Sequence, residues 1–181
     1  MTTIELTAEE MAFAGKIGFY RDYENKQRSN IADYDTKRFN LTSLQAHRLG
    51  VMCEVAVGKF LGLDMLKQPP EVWTGFVVSE HYEFNKGPDI LNRFEVRRAN
   101  VRTSPIPLRK KDLEYSAQVV QVYVPYTQTA DGISVPTQCE LLGWSDSVED
   151  WPKAETPSWS KNGQARVVHN KRPMSDLEVM V

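Results

Sequence analysis

Long apolar stretches, clustered cysteines and spaced histidines are all missing from this chain, and each absence removes a class of function. The longest apolar run, Leu49 to Leu63, is interrupted by Glu54 and Lys59 and is too short to span a bilayer. Met1 to Glu5 lacks the basic start and apolar stretch of a signal peptide, so a cytoplasmic home is expected. The two cysteines, Cys53 and Cys139, lie far apart in apolar surroundings and read as reduced core residues rather than a disulfide. His47, His81 and His169 are scattered without ligand spacing, which argues against zinc. The chain has no glycine-rich phosphate loop, and no elbow motif surrounds Ser104 or Ser134. Neither cysteine has a histidine within one helical turn, so a local nucleophilic pair has no support.

What is present suits one domain. Hydrophobic residues make up 41% of the 181, enough for a core, and charged residues make up 25%, enough for a polar surface. Net charge is only −2, which excludes a strongly basic binder on the whole-chain average. The distribution is less even. Arg93, Arg97, Arg98, Arg102, Arg109, Lys110 and Lys111 stand in one segment against the single acid Glu95. Such a run reads either as a solvated face or as a local phosphate-binding patch on an acidic body.

The first part of the chain reads as helical. Thr7 and Glu10 have capping-box spacing, and a helix is expected to about Gln27 with Phe13, Ile17 and Tyr20 on its apolar stripe. Gly15 and Gly18 weaken that pattern. A polar loop over Asn30–Asn40 precedes a second helix, from Thr42 to a terminating glycine at Gly62. The periodicity then changes. Trp73–Ser79, Phe94–Val101, Ala117–Pro125 and Cys139–Trp144 read as strands, separated by Lys86-Gly87-Pro88, Ser104-Pro105 and Asp131-Gly132. A short helix after Ser145, an edge strand at Ala165–Val168 and a turn at Pro173–Leu177 into a short terminal helix complete the reading. The fold class implied is mixed α/β, or α+β, with helices first and a mostly antiparallel sheet after them.

The chemistry-bearing string is Pro88-Asp89-Ile90-Leu91-Asn92-Arg93-Phe94-Glu95-Val96-Arg97-Arg98. Strand alternation puts Glu95 and Arg97 on one face, and Asp89 sits at the preceding turn where it can fold back toward them. Two carboxylates and a cation in one cluster suit phosphodiester hydrolysis, in which a divalent ion activates water and a neighbouring positive charge stabilises the developing negative charge. Glu54 adds to the set. It stands among Val51, Met52, Cys53, Val55, Ala56 and Val57, where a carboxylate is costly unless paired or metal-bound. Gly50 and Gly58 flank it on the same helical face. Two readings of Glu54 stay open: a buried acid paired with an arginine or lysine, or a third carboxylate of the site. Trp144, Trp151 and Trp159 read as packing residues rather than stacking platforms.

In this order the pieces resemble the PD-(D/E)XK nuclease superfamily, in particular its small bacteriophage-encoded members. The resemblance rests on the helix Cys53-Glu54-Val55-Ala56-Val57-Gly58-Lys59, on Pro88-Asp89, and on Glu95-Val96-Arg97. It extends to Glu140-Leu141-Leu142-Gly143-Trp144 and to the closing stretch Val168–Leu177. What it implies is a restriction-endonuclease-like core over residues 41–181, with residues 1–40 as an added N-terminal helix and loop packed on it. It further implies that Asp89, Glu95 and the backbone carbonyl of Val96 bind magnesium or manganese, that Glu54 completes the catalytic set, and that Arg97 takes the usual lysine's place. Arginine stays charged, so there it can position or stabilise but not accept a proton. The expected function is a metal-dependent deoxyribonuclease acting on DNA, in the host cytoplasm if phage-encoded, with Arg93, Arg98, Arg102, Arg109, Lys110 and Lys111 on the nucleic acid. The alternative is a catalytically weak or inactive nuclease-fold module that binds nucleic acid or a host protein. A homodimer, needed to cut both strands, is left open.

Overall fold

A computed structural model describes residues 2–27, 39–67 and 87–177, so the expected strand at Trp73–Ser79 lies outside the described residues. Strand β1 (Thr2–Glu5) comes first, a feature the sequence reading lacks. Helix α1 (Ala8–Gln27) follows, opened by the Thr7–Glu10 capping box: the Thr7 N–H donates to Glu10 Oε2 at 2.6 Å and the Glu10 N–H to Thr7 Oγ1 at 3.2 Å. Helix α2 (Ser43–Phe60) has its own box, with the Gln45 N–H donating to the Thr42 hydroxyl and the Gln45 side chain accepting from the Thr42 N–H. It ends in a Schellman motif: Gly62 has φ +78°, its N–H donates to Lys59 O, and the Leu63 N–H donates to Gly58 O. The terminating glycine expected at that position is therefore present.

The rest is mainly strand: β2 (Phe94–Ala99), β3 (Ile106–Arg109), β4 (Gln118–Tyr123), β5 (Thr127–Thr129), β6 (Gly132–Ser134), β7 (Gln138–Asp146) and β8 (Ala165–Val168). Short helices α3 (Lys110–Glu114) and α4 (Ser147–Asp150) lie between them. The central sheet has the order β1-β7-β4-β2. β2 and β4 are parallel and the other pairs antiparallel, so the sheet is mixed, as the fold class anticipated. β3 pairs with β8, and β5 with β6 around the Asp131-Gly132 turn.

α2 crosses one face of the central sheet and α1 packs outside it. Alternation along β4 assigns the layers. Val120 and Val122 face α2 and join the main core, which holds Val51, Met52, Val55, Ile90, Phe94 and Leu141. Val119 faces the other way into a smaller core with Ile106 and Leu108 of the β3–β8 layer. α1 turns Ala14, Ile17, Gly18, Arg21, Asp22 and Asn25 inward and leaves Tyr20 37% exposed, so its buried stripe is one position off the expected one. Gly18 explains the offset. A Cβ there would lie 2.8 Å from Arg48 Cα, so only glycine lets α1 approach α2 at that point.

Candidate active site

The site is built around the free edge of β2, which among the described residues pairs with β4 on one side only. A tight turn brings the chain there. Leu91 and Asn92 both have φ +52°, and the Arg93 N–H donates to Ile90 O at 3.0 Å, the pattern of a type I′ turn. Leucine in the left-handed region costs about 1–2 kcal/mol, a strain that the pairing of Ile90 with Phe94 across the turn sustains. Because of that turn, Asp89 lies back along β2 and its Oδ2 accepts the Val96 N–H at 2.8 Å. A strand residue's N–H and C=O point to the same side, so the Val96 carbonyl shares this edge with Asp89.

A pocket of about 360 Å³ wraps the edge. Its helix-side wall carries Arg21 of α1 and His47, Gly50 and Glu54 of α2, with Arg98 of β2. Its opposite wall carries Glu95 and Arg97 of β2, Arg109 of β3 and Lys111 of α3. The three acids singled out in the sequence, Glu54, Asp89 and Glu95, thus come from a helix, a turn and a strand to line one cavity. Gly50 borders open space here: a Cβ on it would meet nothing within 4 Å.

The acids differ in how their charge is met. Glu54 is held by both arms of the Arg21 guanidinium, at 2.5 and 2.7 Å, so the paired reading of this buried acid is the one realised. Glu95 Oε1 receives Arg97 at 2.5 Å and Lys111 at 3.1 Å. Arg97 also reaches both oxygens of Asp112, at 2.8 and 3.1 Å, and Asp112 Oδ2 in turn accepts the Arg109 N–H that opens α3. Among the described residues Asp89 has only the Val96 N–H. Burial, reinforced by the neighbouring Glu54 charge, pushes its carboxyl up to about 6, against the pull of Val96, Arg21 and Arg97. Burial and Asp89 likewise raise Glu95, opposed by Arg97 and Lys111. Burial alone would depress Arg97, but Glu95, Asp112 and Asp89 together hold its pKa up, fixing it as a permanent cation. His47 goes the other way: burial and the Arg21 charge bring it down to about 4, leaving the imidazole neutral at pH 7.

The basic run does not lie on one surface. Arg97, Arg98, Arg109 and Lys111 line the pocket. Arg93 bonds Gln118 and sits over the Phe94 ring, and Arg102 takes both oxygens of Glu140 at 2.6 Å while stacking over Tyr123. Lys110 is exposed. Sequence reasoning missed Arg21 and Asp112, the two residues that complete the charge network. Arg21 carried a faint signal, since it continues the Ile17 stripe of α1 at a position where an apolar residue is expected. Asp112 carried none.

Could this donor set hold a divalent ion? Among the described residues, no three His, Cys, Asp or Glu side chains gather closely enough to cage one unaided. Both cations on Glu95 bond its Oε1, and Asp89 uses only Oδ2, so each carboxylate keeps one oxygen uncommitted. Two carboxylate oxygens and a carbonyl match magnesium, which binds few protein ligands and keeps several waters. Comparisons with protein-family models, curated proteins and solved structures give no match.

Proposed function

We propose that the chain is a magnesium- or manganese-dependent deoxyribonuclease with a restriction-endonuclease-like core. The observation that carries this reading is the convergence of Glu54, Asp89 and Glu95 on one cation-lined pocket, with Asp89 anchored to the Val96 N–H. Asp89 Oδ1, Glu95 Oε2 and the Val96 carbonyl are the groups that would hold the ion. When bound, that ion polarises a phosphodiester and lowers the pKa of a coordinated water.

The chain's own residues do the remaining work. Ionisation of Asp89, disfavoured by burial and by Glu54, becomes favourable once a cation neutralises the cluster. Arg97, clamped between Glu95 and Asp112, fixes the orientation of the Glu95 carboxylate and sets positive charge beside the reacting phosphate. Lys111 shares Glu95 Oε1 with it, and an amine, unlike a guanidinium, can exchange a proton. Lys111 is therefore placed for more than contact with a phosphate: its part-exposed ammonium would first hand a proton to solvent, and the amine so freed would take the proton that the attacking water loses. Glu54 acts at one remove, holding Arg21 on the pocket wall.

A supercoiled-plasmid nicking assay with magnesium or manganese tests this. Asp89→Ala and Glu95→Ala are expected to lower the rate by at least about 100-fold, because even outer-shell partners of a metal are worth 10–100-fold. Lys111→Arg, which keeps the charge but not the exchangeable proton, is expected to lose about 100-fold as well. Normal cutting by both acid variants would remove the assignment.

A second reading is favoured by a specific feature: Arg21 and Arg97 already neutralise Glu54 and Glu95 without any metal. In that reading the chain is a non-catalytic module with a nuclease-type fold that binds nucleic acid or another protein. Calorimetric titration with manganese separates the two, since this module would take up no ion.

A further inference from the structure

The cations of the pocket are not treated alike. Arg21 has Glu54, Arg97 has Glu95 and Asp112, and Lys111 has Glu95. Arg98 has no carboxylate among the described residues. Its one side-chain hydrogen bond is from Nη2 to Asn100 Oδ1, at 2.6 Å. It stands on the α2 side of β2, near the buried Cys53 thiol and Tyr126, and burial lowers its pKa. A guanidinium withdrawn from water without a counter-charge is unfavourable unless something else supplies that charge. Its Nε and Nη1, which make no hydrogen bond among the described residues, are not sealed from solvent, and the residue lines the pocket. Five N–H groups in a rigid planar fork, one arm pinned by Asn100, are suited to grip a phosphoryl group with two parallel hydrogen bonds.

We infer that Arg98, anchored by Asn100, forms a phosphoryl-binding subsite that takes an anion whether or not a metal is bound. In identifying the ligand as a phosphate of a nucleic acid strand, the inference rests on the nuclease reading; the capture of an anion rests on the pinned fork at the pocket wall, with no counter-charge among the described residues. The subsite lies across β2 from the Glu95–Arg97–Lys111 wall, so a strand threading the pocket would place one phosphate at Asp89 and a neighbouring one at Arg98. The source of that phosphate is either a chain diester or a terminal monoester.

Titration of inorganic phosphate into the full chain in the presence of a chelator tests the subsite. Saturable binding is expected, weakened at least about tenfold in Arg98→Met, the scale of one lost charge-assisted hydrogen bond. Arg98→Lys, which keeps the charge but loses the fork, is the second variant and is expected to bind several-fold more weakly than wild type. Because the lost cation has no counter-ion among the described residues, Arg98→Met should melt no lower than wild type without phosphate, and phosphate should raise the melting temperature of wild type only. Absence of phosphate binding in wild type, or equal binding in Arg98→Met, overturns the proposal. Short oligonucleotides with a phosphate or a hydroxyl at the end then identify the source. Tighter binding of the phosphorylated end, lost in Arg98→Met, assigns a terminal phosphate; equal binding of both, weakened together in Arg98→Met, assigns a backbone diester; no dependence on Arg98 in either refutes the subsite. Manganese calorimetry on the same preparations keeps this outcome separate from the nuclease reading, which fails if no ion binds even where phosphate does.

Discussion

The pocket at β2 and the closing segment around Arg172 use the same residue types to opposite ends. In the closing segment the demands of Arg172 and Trp144 are met. Arg172 lies over the Trp144 ring, reaches Glu149 at 2.7 Å and Asp150 at 3.0 Å, and exchanges backbone hydrogen bonds with Trp144 at 2.9 and 3.0 Å. The Trp144 indole N–H donates to Pro173 O, and Asp150 accepts from Ser145 and from the Asp146 N–H. At β2, by contrast, burial and the Glu54 charge raise Asp89 to about 6, burial and the Asp89 charge raise Glu95, and Arg98 has no acid among the described residues. Saturated polar networks fix a shape; networks left short of charge are ready to accept something. The difference is therefore a guide to which region holds the fold and which one works.

Three substitutions bear on this contrast, in descending order of effect. Gly143→Val should break the closing segment most severely. Gly143 has φ +137°, and a Cβ there would stand 2.6 Å from Arg172 O and 2.8 Å from Lys171 Cβ. A loss of about 3 kcal/mol or more is expected in denaturant unfolding. Asp89→Asn should do the reverse at the pocket. The folded-state carboxyl titrates near 6, above its unfolded value, so wild type carries no penalty below pH 4 and acquires it as pH rises through 6. In chelator, the amide variant should match wild type near pH 4 and exceed it at pH 8, by on the order of 2 kcal/mol. Equal melting curves at both pH values would show that Asp89 is not held up by burial and Glu54. Gly50→Ala sharpens the comparison least but most cleanly: a methyl in open space inside α2 should add about 0.5–1 kcal/mol in thermal unfolding.

Much of this organisation is legible in the sequence where the signal is local. Thr42 with Gln45 and the left-handed Gly62 announce the ends of α2, and short runs rich in Val, Tyr, Phe and Leu between turn residues announce β2, β4 and β7. The Ala165–Val168 strand and the short helix after Ser145 were equally readable. β1 and β3 were not. Each is four residues long, and β1, with half its side chains exposed, has too few periods to stand out from a loop. The same rule governs the site. Glu54, Asp89, Glu95 and Arg97 could be singled out because an acid among apolar neighbours, or acid and base alternating on a strand, is visible along the chain. Arg21 and Asp112 could not, because their meaning lies in partners 33 and 15 positions away. The Gly143-Trp144 pair and the closing stretch are each visible along the chain, but only the fold brings Arg172 across Trp144.

The placement of β1 has a consequence for how the chain is made. Glu5 and Thr137, hydrogen-bonded at this corner of the sheet, are 132 positions apart, and Thr2 pairs with Leu141. During synthesis α1 and α2 can collapse on each other as soon as both have emerged, whereas β1 must wait, unpartnered, until β7 is translated. Completion of the central sheet is thus a late, non-local event. A ribosome stalled before residue 138 should carry a docked helical pair with a strand still looking for its neighbour.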